Sequence, residues 1–271
     1  MGSPLPHVIP RTEVYRVRAA TIDQESRISV ATPRGYADGG GPYPVLYVLD
    51  ADIGVGTVVE GSRLLSLDQQ LHEILIVGIG YPVEDLTETL VARTRDLTPT
   101  IAPGKLRELA EQGLGNNATS FIGGAGAFLD FIRGELMPFI TDRYRSDPSD
   151  VGIAGASLGG LFATWCLFSQ PAVFGRLIAV SPSLGWDDGV IFRLEQERAQ
   201  RSRELPAKLF LSVGRDESPE MLRNARRLAG RLRRRRYEGL ELTVLTIAGE
   251  IHRSVWAPAM LRGLRVLYGT I

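Results

Sequence analysis

The chain is 271 residues long and 44% hydrophobic, enough for one large α/β domain whose sheet is covered on both faces. Its 31 basic and 31 acidic residues cancel, so no global field draws it to nucleic acid or to an anionic membrane. No apolar stretch is long enough to span a bilayer, and the single cysteine, Cys166, excludes an internal disulfide.

The leading residues, Met1-Gly-Ser-Pro-Leu-Pro-His-Val-Ile-Pro10, lack a basic cluster followed by an apolar run. No signal peptide is read there, and a cytoplasmic location is the expectation. A periplasmic or secreted one applies if a leader has been removed. Residues 13–18 and 27–31 alternate and predict an antiparallel hairpin. Val45-Leu-Tyr-Val-Leu49 is continuously apolar, as expected of a strand buried on both faces. It stops at Asp50-Ala-Asp52, and a helix is expected over 55–70. Ile74-Leu-Ile-Val-Gly-Ile79 is a second buried strand, ending in Gly80-Tyr81-Pro82.

Residues 83–126 are less regular and form the candidate lid or pocket wall, with one short helical piece near 104–112. A strongly periodic helix follows over 128–144, with a kink expected at Pro138. Strand, tight turn and helix run from 151 to 170. Further strands are predicted at 177–180, 209–213 and 242–247, and helices near 188–203, 218–236 and 254–268. Strands alternating with helices predict one α/β domain over residues 1–271, with a mainly parallel central sheet and helices on both faces. Ligands bind such sheets beyond the carboxyl ends of the strands. Asp52, Tyr81, Ser157, Ser183, Glu217 and His252 all fall just past strand ends.

The most informative stretch is Gly155-Ala-Ser157-Leu-Gly159, a Gly-x-Ser-x-Gly frame between an apolar strand and an apolar helix. Such a turn strains its apex and lifts a hydroxyl above the sheet edge, which makes Ser157 the candidate nucleophile. A serine needs a base within hydrogen-bond reach and a third group to hold that base. Of the three histidines, His7 leads the chain and His72 precedes a strand, whereas His252 follows the last strand. His252 is therefore the expected base. The acid should lie past the strand at 209–213, where Asp216 and Glu217 compete. Glu217 is favoured, three residues beyond Gly214; Asp216 and Ser218-Pro219 suit a helix start. Glu250 is a third candidate, too close to His252 in sequence to orient it easily. The oxyanion donors expected are the amide of Leu158 and that of Asp52, with Ala51 next. Arg95 could bind a substrate carboxylate or anchor the lid through Asp96. Tyr81, Ser183 and Trp186 are candidate pocket walls.

Arg231-Leu-Arg-Arg-Arg-Arg236 reads as a solvated helix end, and Asn117-Ala-Thr119 as a sequon without a secretion signal. The histidines are too scattered in sequence to suggest a metal site.

Together these residues resemble the esterase family of the α/β-hydrolase superfamily that includes enterobactin-type siderophore esterases, S-formylglutathione hydrolase and the mycolyltransferases. The likeness is carried by Tyr43-Pro-Val-Leu-Tyr-Val-Leu-Asp50, Arg95-Asp-Leu-Thr-Pro99, Gly123-Gly-Ala-Gly-Ala-Phe-Leu and Glu135-Leu-Met-Pro-Phe-Ile. It continues through Gly155-Ala-Ser-Leu-Gly-Gly-Leu161, Ser181-Pro-Ser-Leu-Gly-Trp186 and Gly249-Glu-Ile-His-Arg-Ser254, and is greatest to the siderophore-esterase branch. The resemblance implies hydrolysis of a small-molecule ester without metal or cofactor, with Ser157 and His252 in the family's catalytic places. It also implies variation at the acid, since some members of the branch work with serine and histidine alone. Acyl transfer from the same acyl-enzyme, or a non-catalytic binding role, are the alternatives.

Overall fold

Apolar runs without polar alternation form the middle of the sheet, because both of their faces must be covered. The computed structural model describes residues 7–82, 86–104 and 122–270. Eight strands lie in the order β1-β2-β4-β3-β5-β6-β7-β8. They are β1 (Thr12–Ala19), β2 (Gln24–Ala31), β3 (Tyr43–Leu49), β4 (Leu75–Gly80), β5 (Ser146–Ala156), β6 (Arg176–Val180), β7 (Glu204–Gly214) and β8 (Glu238–Ile247). The hairpin β1–β2 and the β2–β4 pair are antiparallel, and β3 to β8 pair in parallel. The fold is the α/β-hydrolase type expected.

The strand β3 shows the two-faced burial residue by residue. Val45, Tyr47 and Leu49 join one apolar core with Phe128, Leu161 and Phe162. Leu46 and Val48 join the other with Val58, Met260 and Leu264. Helix α1 (Ala51–Leu67) packs against β4, and the closing helix packs against α1, β6 and β7. The register pairs Ala156 with Val180, Val180 with Ser212, and Gly214 with Ile247. The loops that follow these strands therefore leave the sheet at one edge. The chain adds β4 on one side of β3 and later returns to add β5 on the other, so this edge opens at a topological switch point.

Several boundaries differ from the sequence reading. Helix α1 begins at Ala51, so Asp52 lies in its first turn. The irregular stretch contains a helix, α2 (Leu86–Leu97), which carries Arg95 and Asp96 and packs on the helices over Ala125–Phe131 and Leu158–Ser169. Its polar composition hid it, since the face it buries is short. The remainder of the lid candidate, residues 83–85 and 105–121, lies outside the described residues, as do the short helix expected near 104–112 and the sequon. The long periodic helix is broken into α3 (Ala125–Phe131), a π turn (Ile132–Leu136) and α4 (Met137–Arg143). Pro138 has no amide to continue the ladder, and the wider turn before it absorbs the missing bond.

After β5 comes α5 (Leu158–Ser169), followed by α6 (Val190–Arg201), α7 (Pro219–Arg235) and α8 (Trp256–Tyr268). Ser218 caps α7 by accepting from the Met221 amide at 3.3 Å. The arginine run at its end is only partly solvated. Arg231 and Arg235 both reach the fully buried Glu195 on α6, at 3.3 and 3.0 Å. Two arginines thus neutralise a carboxylate that could not otherwise stay buried and charged.

The turn from β5 into α5 needs glycine for a steric reason. A Cβ on Gly155 would lie 2.5 Å from the carbonyl carbon of Gly159, a backbone atom that cannot rotate away. Gly155→Ala is expected to cost about 2 kcal/mol or more by overpacking. Gly126→Ala meets nothing within 4 Å and should be neutral or stabilising by about 0.5 kcal/mol. Urea unfolding midpoints of the two variants check the contrast.

Candidate active site

Ser157 sits between β5 and α5 with φ 57° and ψ −114°, a conformation that side chains disfavour. It is held there by its own backbone. Its amide donates to the Val180 carbonyl at 3.0 Å, and its carbonyl accepts from the amides of Leu161 at 2.9 Å and Ser183 at 3.0 Å. Fixing both ends of the residue in this way offsets the strain and aims the hydroxyl away from the sheet.

The loop after β8 brings His252 to that hydroxyl. Nε2 of His252 lies 3.0 Å from Oγ of Ser157, although 95 residues separate them. On the other side of the ring, Nδ1 lies 2.8 Å from Oε2 of Glu217. Glu217 has a fully buried side chain, whereas the imidazole is 44% exposed. The second carboxylate oxygen, Oε1, accepts from the Gly214 amide at 2.7 Å and from the Ser181 hydroxyl. Burial alone would push the Glu217 carboxyl up. The hydrogen bonds from His252, Ser181 and Gly214 outweigh it, and the carboxyl titrates below the ordinary glutamate range. An ionised carboxylate can only accept, so Nδ1 of His252 carries the proton and Nε2 presents its lone pair to Ser157.

Of the three candidate carboxylates, Glu217 is the one in contact with His252. Asp216 is exposed, and its amide donates to the Glu250 carbonyl at 3.0 Å. Glu250 accepts from Ser254. Neither carboxylate bonds to His252.

The other residues singled out by sequence divide into two groups. Ser183 stands at the site, its hydroxyl 3.2 Å from that of Ser157. Tyr81, Arg95 and Trp186 are engaged elsewhere. Tyr81 is 4% exposed, and burial together with the charges of Asp96 and Asp50 pushes its phenol well up. Arg95 bonds Asp96 at 2.7 Å and also Gln24, which is the anchoring alternative rather than a free anion site. Trp186 is buried and donates its indole N–H to the Thr100 carbonyl at 3.1 Å. It thereby ties the segment after α2 to the loop after β6.

Leu158 opens α5 and Asp52 lies in the first turn of α1, where helix geometry leaves backbone amides without intrahelical partners. The Asp52 carboxylate accepts from Arg27 and, at 2.5 Å, from the Tyr81 amide. Its neighbour Asp50 caps the helix in a left-handed conformation, φ 53°, and is gripped by Arg93 through two 2.8 Å hydrogen bonds. This bidentate pair escaped the sequence reading. The available signal was Asp50 itself, an acid directly after a strand buried on both faces.

An eight-stranded, mostly parallel sheet with a serine raised on its strand-to-helix turn defines an α/β-hydrolase. The family described as "Putative esterase" matches residues 19–266. The ferri-bacillibactin esterase BesA of Bacillus subtilis is 31% identical over 95% of this chain and 89% of its own length. A siderophore triacetylfusarinine C esterase of Aspergillus fumigatus is 29% identical over 81% of this chain and 68% of its own. Among solved structures, the BES protein from Bacillus cereus superposes with a TM-score of 0.84 at 26% identity, covering 99% of this chain and 98% of that one. The chain belongs to this esterase family, in its siderophore-esterase branch, and is a carboxylic ester hydrolase. No helix among the described residues is long and apolar enough to cross a membrane.

The depressed Glu217 carboxyl links stability to pH. Its folded-state titration lies below the unfolded one, so its contribution is complete above the ordinary glutamate range and is lost as the pH falls through the folded value. The stability difference between wild type and Glu217→Gln should therefore shift against the wild type between about pH 6 and about pH 3. Urea titrations of both proteins across that range measure it; parallel curves would contradict the assignment.

Proposed function

We propose that the chain hydrolyses siderophore esters through an acyl-enzyme on Ser157, with His252 as general base and Glu217 as the acid that orients it. The observation carrying this reading is the continuous hydrogen-bonded line from the Ser157 hydroxyl through both His252 nitrogens to a buried carboxylate. The siderophore substrate class rests on the names of the relatives.

In the first step Oγ of Ser157 attacks the ester carbonyl carbon while Nε2 of His252 takes the hydroxyl proton. The carbonyl π bond opens, and the oxygen takes up negative charge. The amides of Leu158 and Asp52, with Ala51 as the neighbouring donor, receive that oxyanion. Collapse breaks the bond to the alcohol, which leaves with the proton from His252. Water then repeats the sequence on the acyl-serine and releases the acid. Glu217 stays ionised throughout and offsets the imidazolium that forms twice per cycle. Ser183 is the pocket wall in this reading, and Arg95 anchors α2 through Gln24. Residues 1–271 act as one domain.

Initial rates on a chromogenic short-chain ester and on a ferric siderophore ester test the proposal. Ser157→Ala and His252→Ala should each fall at least about 1,000-fold, and Glu217→Gln about 100-fold or more. Asp216→Asn should stay within about two-fold, as an exposed group with no part in the relay. Turnover retained in Ser157→Ala would place the nucleophile elsewhere. An ester product formed with added alcohol in place of free acid would make the chain an acyltransferase.

A further inference from the structure

We infer that Ser181 is a positioning residue for the hydrolysis, holding the Glu217 carboxylate in the plane from which it orients His252. The inference rests on the reading of Ser157, His252 and Glu217 as the reacting relay.

Ser181 directly follows β6, is 1% exposed and has φ 42°, a left-handed backbone unusual for a serine. Its amide donates to the Ser212 carbonyl of the neighbouring strand at 2.8 Å, which pins the residue to β7. Its hydroxyl donates to Oε1 of Glu217. A carboxylate on a flexible side chain can rotate about its last bond, and a single bond to His252 would not fix that rotation. Two donors on Oε1, the Ser181 hydroxyl and the Gly214 amide at 2.7 Å, leave Oε2 free for Nδ1 of His252 at 2.8 Å. Ser181 makes this contact from the strand between those that carry the nucleophile and the acid.

The same turn reaches the nucleophile. Two residues on, the Ser183 amide donates to the Ser157 carbonyl at 3.0 Å, and its hydroxyl lies 3.2 Å from Oγ of Ser157. The turn Ser181-Pro182-Ser183 thus touches the acid with its first side chain and the nucleophile with its third residue. It sets the spacing between the two ends of the relay. Glycine at 181 would satisfy the backbone at least as well, because φ 42° costs it nothing. What serine adds at this position over glycine is the hydroxyl that meets Glu217.

The test separates backbone from hydroxyl. Ser181→Ala and Ser181→Gly both remove the donor, and Ser181→Gly also relieves the backbone. Each should lower kcat about ten- to a hundred-fold, the range for a hydrogen bond to a charged group, with KM nearly unchanged. Active sites are counted by fluorophosphonate burst titration, so any unfolded fraction does not enter kcat. In the Glu217→Gln background the same substitutions should change kcat less than about two-fold, because the group they position no longer carries charge. Wild-type kcat in Ser181→Gly, or an equal loss in both backgrounds, overturns the inference while Ser157→Ala remains inactive. Activity retained in Ser157→Ala defeats the relay itself, a distinguishable outcome.

Discussion

The close approach of β5 to the start of α5 is the constraint on which the site depends. Gly155 and Gly159 come within a distance that excludes a Cβ, and the chain must reverse from strand to helix over Ser157 alone. That reversal forces a backbone conformation costing on the order of 1–3 kcal/mol. The strain persists because both neighbours of Ser157 in the sheet and the helix bond to its amide and carbonyl. A residue held this tightly projects its side chain in one direction, and the sheet register decides what it meets. Ser157 and Ser181 follow, and Gly214 closes, strands whose ends are aligned with the next. The parallel sheet therefore acts as a ruler, and the loops need supply only short corrections.

Buried charge follows a consistent pattern around this edge. Glu217 is neutralised by donors on both oxygens, Asp50 by the fork of Arg93, and Asp96 by Arg95 and Gln24. Breaking such a pair leaves an uncompensated charge and costs about 3–5 kcal/mol, far more than an exposed pair returns. Arg93 links α2 to Asp50 at the end of β3, and Arg95 links it to Gln24 at the start of β2. The edge on which the hydroxyl stands is thus braced by ionic contacts from a segment separate from the chemistry.

The sequence made the sheet legible wherever hydrophobic patterning was strong. Val45 to Leu49 and the Gly-x-Ser-x-Gly turn fell where continuous apolar runs and clustered glycines required. His252 was expected beside Ser157 by elimination, since His7 leads the chain and His72 precedes a strand, and its ring stands there. Where packing decides rather than pattern, the reading failed. Helix α2 is charged along much of its length, and it is held by partners far away in sequence, Asp50 through Arg93 and Gln24 through Arg95. The break at residues 132–136 was anticipated as a kink at Pro138, but the form it took, a π turn, depends on how the flanking turns pack. Glu217 against Asp216 could not be settled by spacing alone. It turns on which of two adjacent carboxylates points inward: the Glu217 side chain is buried against His252, and Asp216 is exposed.

Burial and fixed donors explain how the Glu217 carboxylate is held here. A glutamate side chain must lose more rotational freedom than a shorter aspartate to be held in place. The loss is offset only if several fixed donors meet it, and the end of the sheet supplies them. The Gly214 amide comes from its own strand, the Ser181 hydroxyl from the adjacent one, and His252 from the loop beyond the next. Gly214 has no room for a side chain, since a Cβ there would lie 2.3 Å from the Glu250 carbonyl oxygen. The loop carrying His252 can therefore lie directly against β7. Close backbone packing at Gly214 does for Glu217 and His252 what the packing at Gly155 does for Ser157: a missing side chain brings two strands' loops near enough for the hydrogen-bonded line to close.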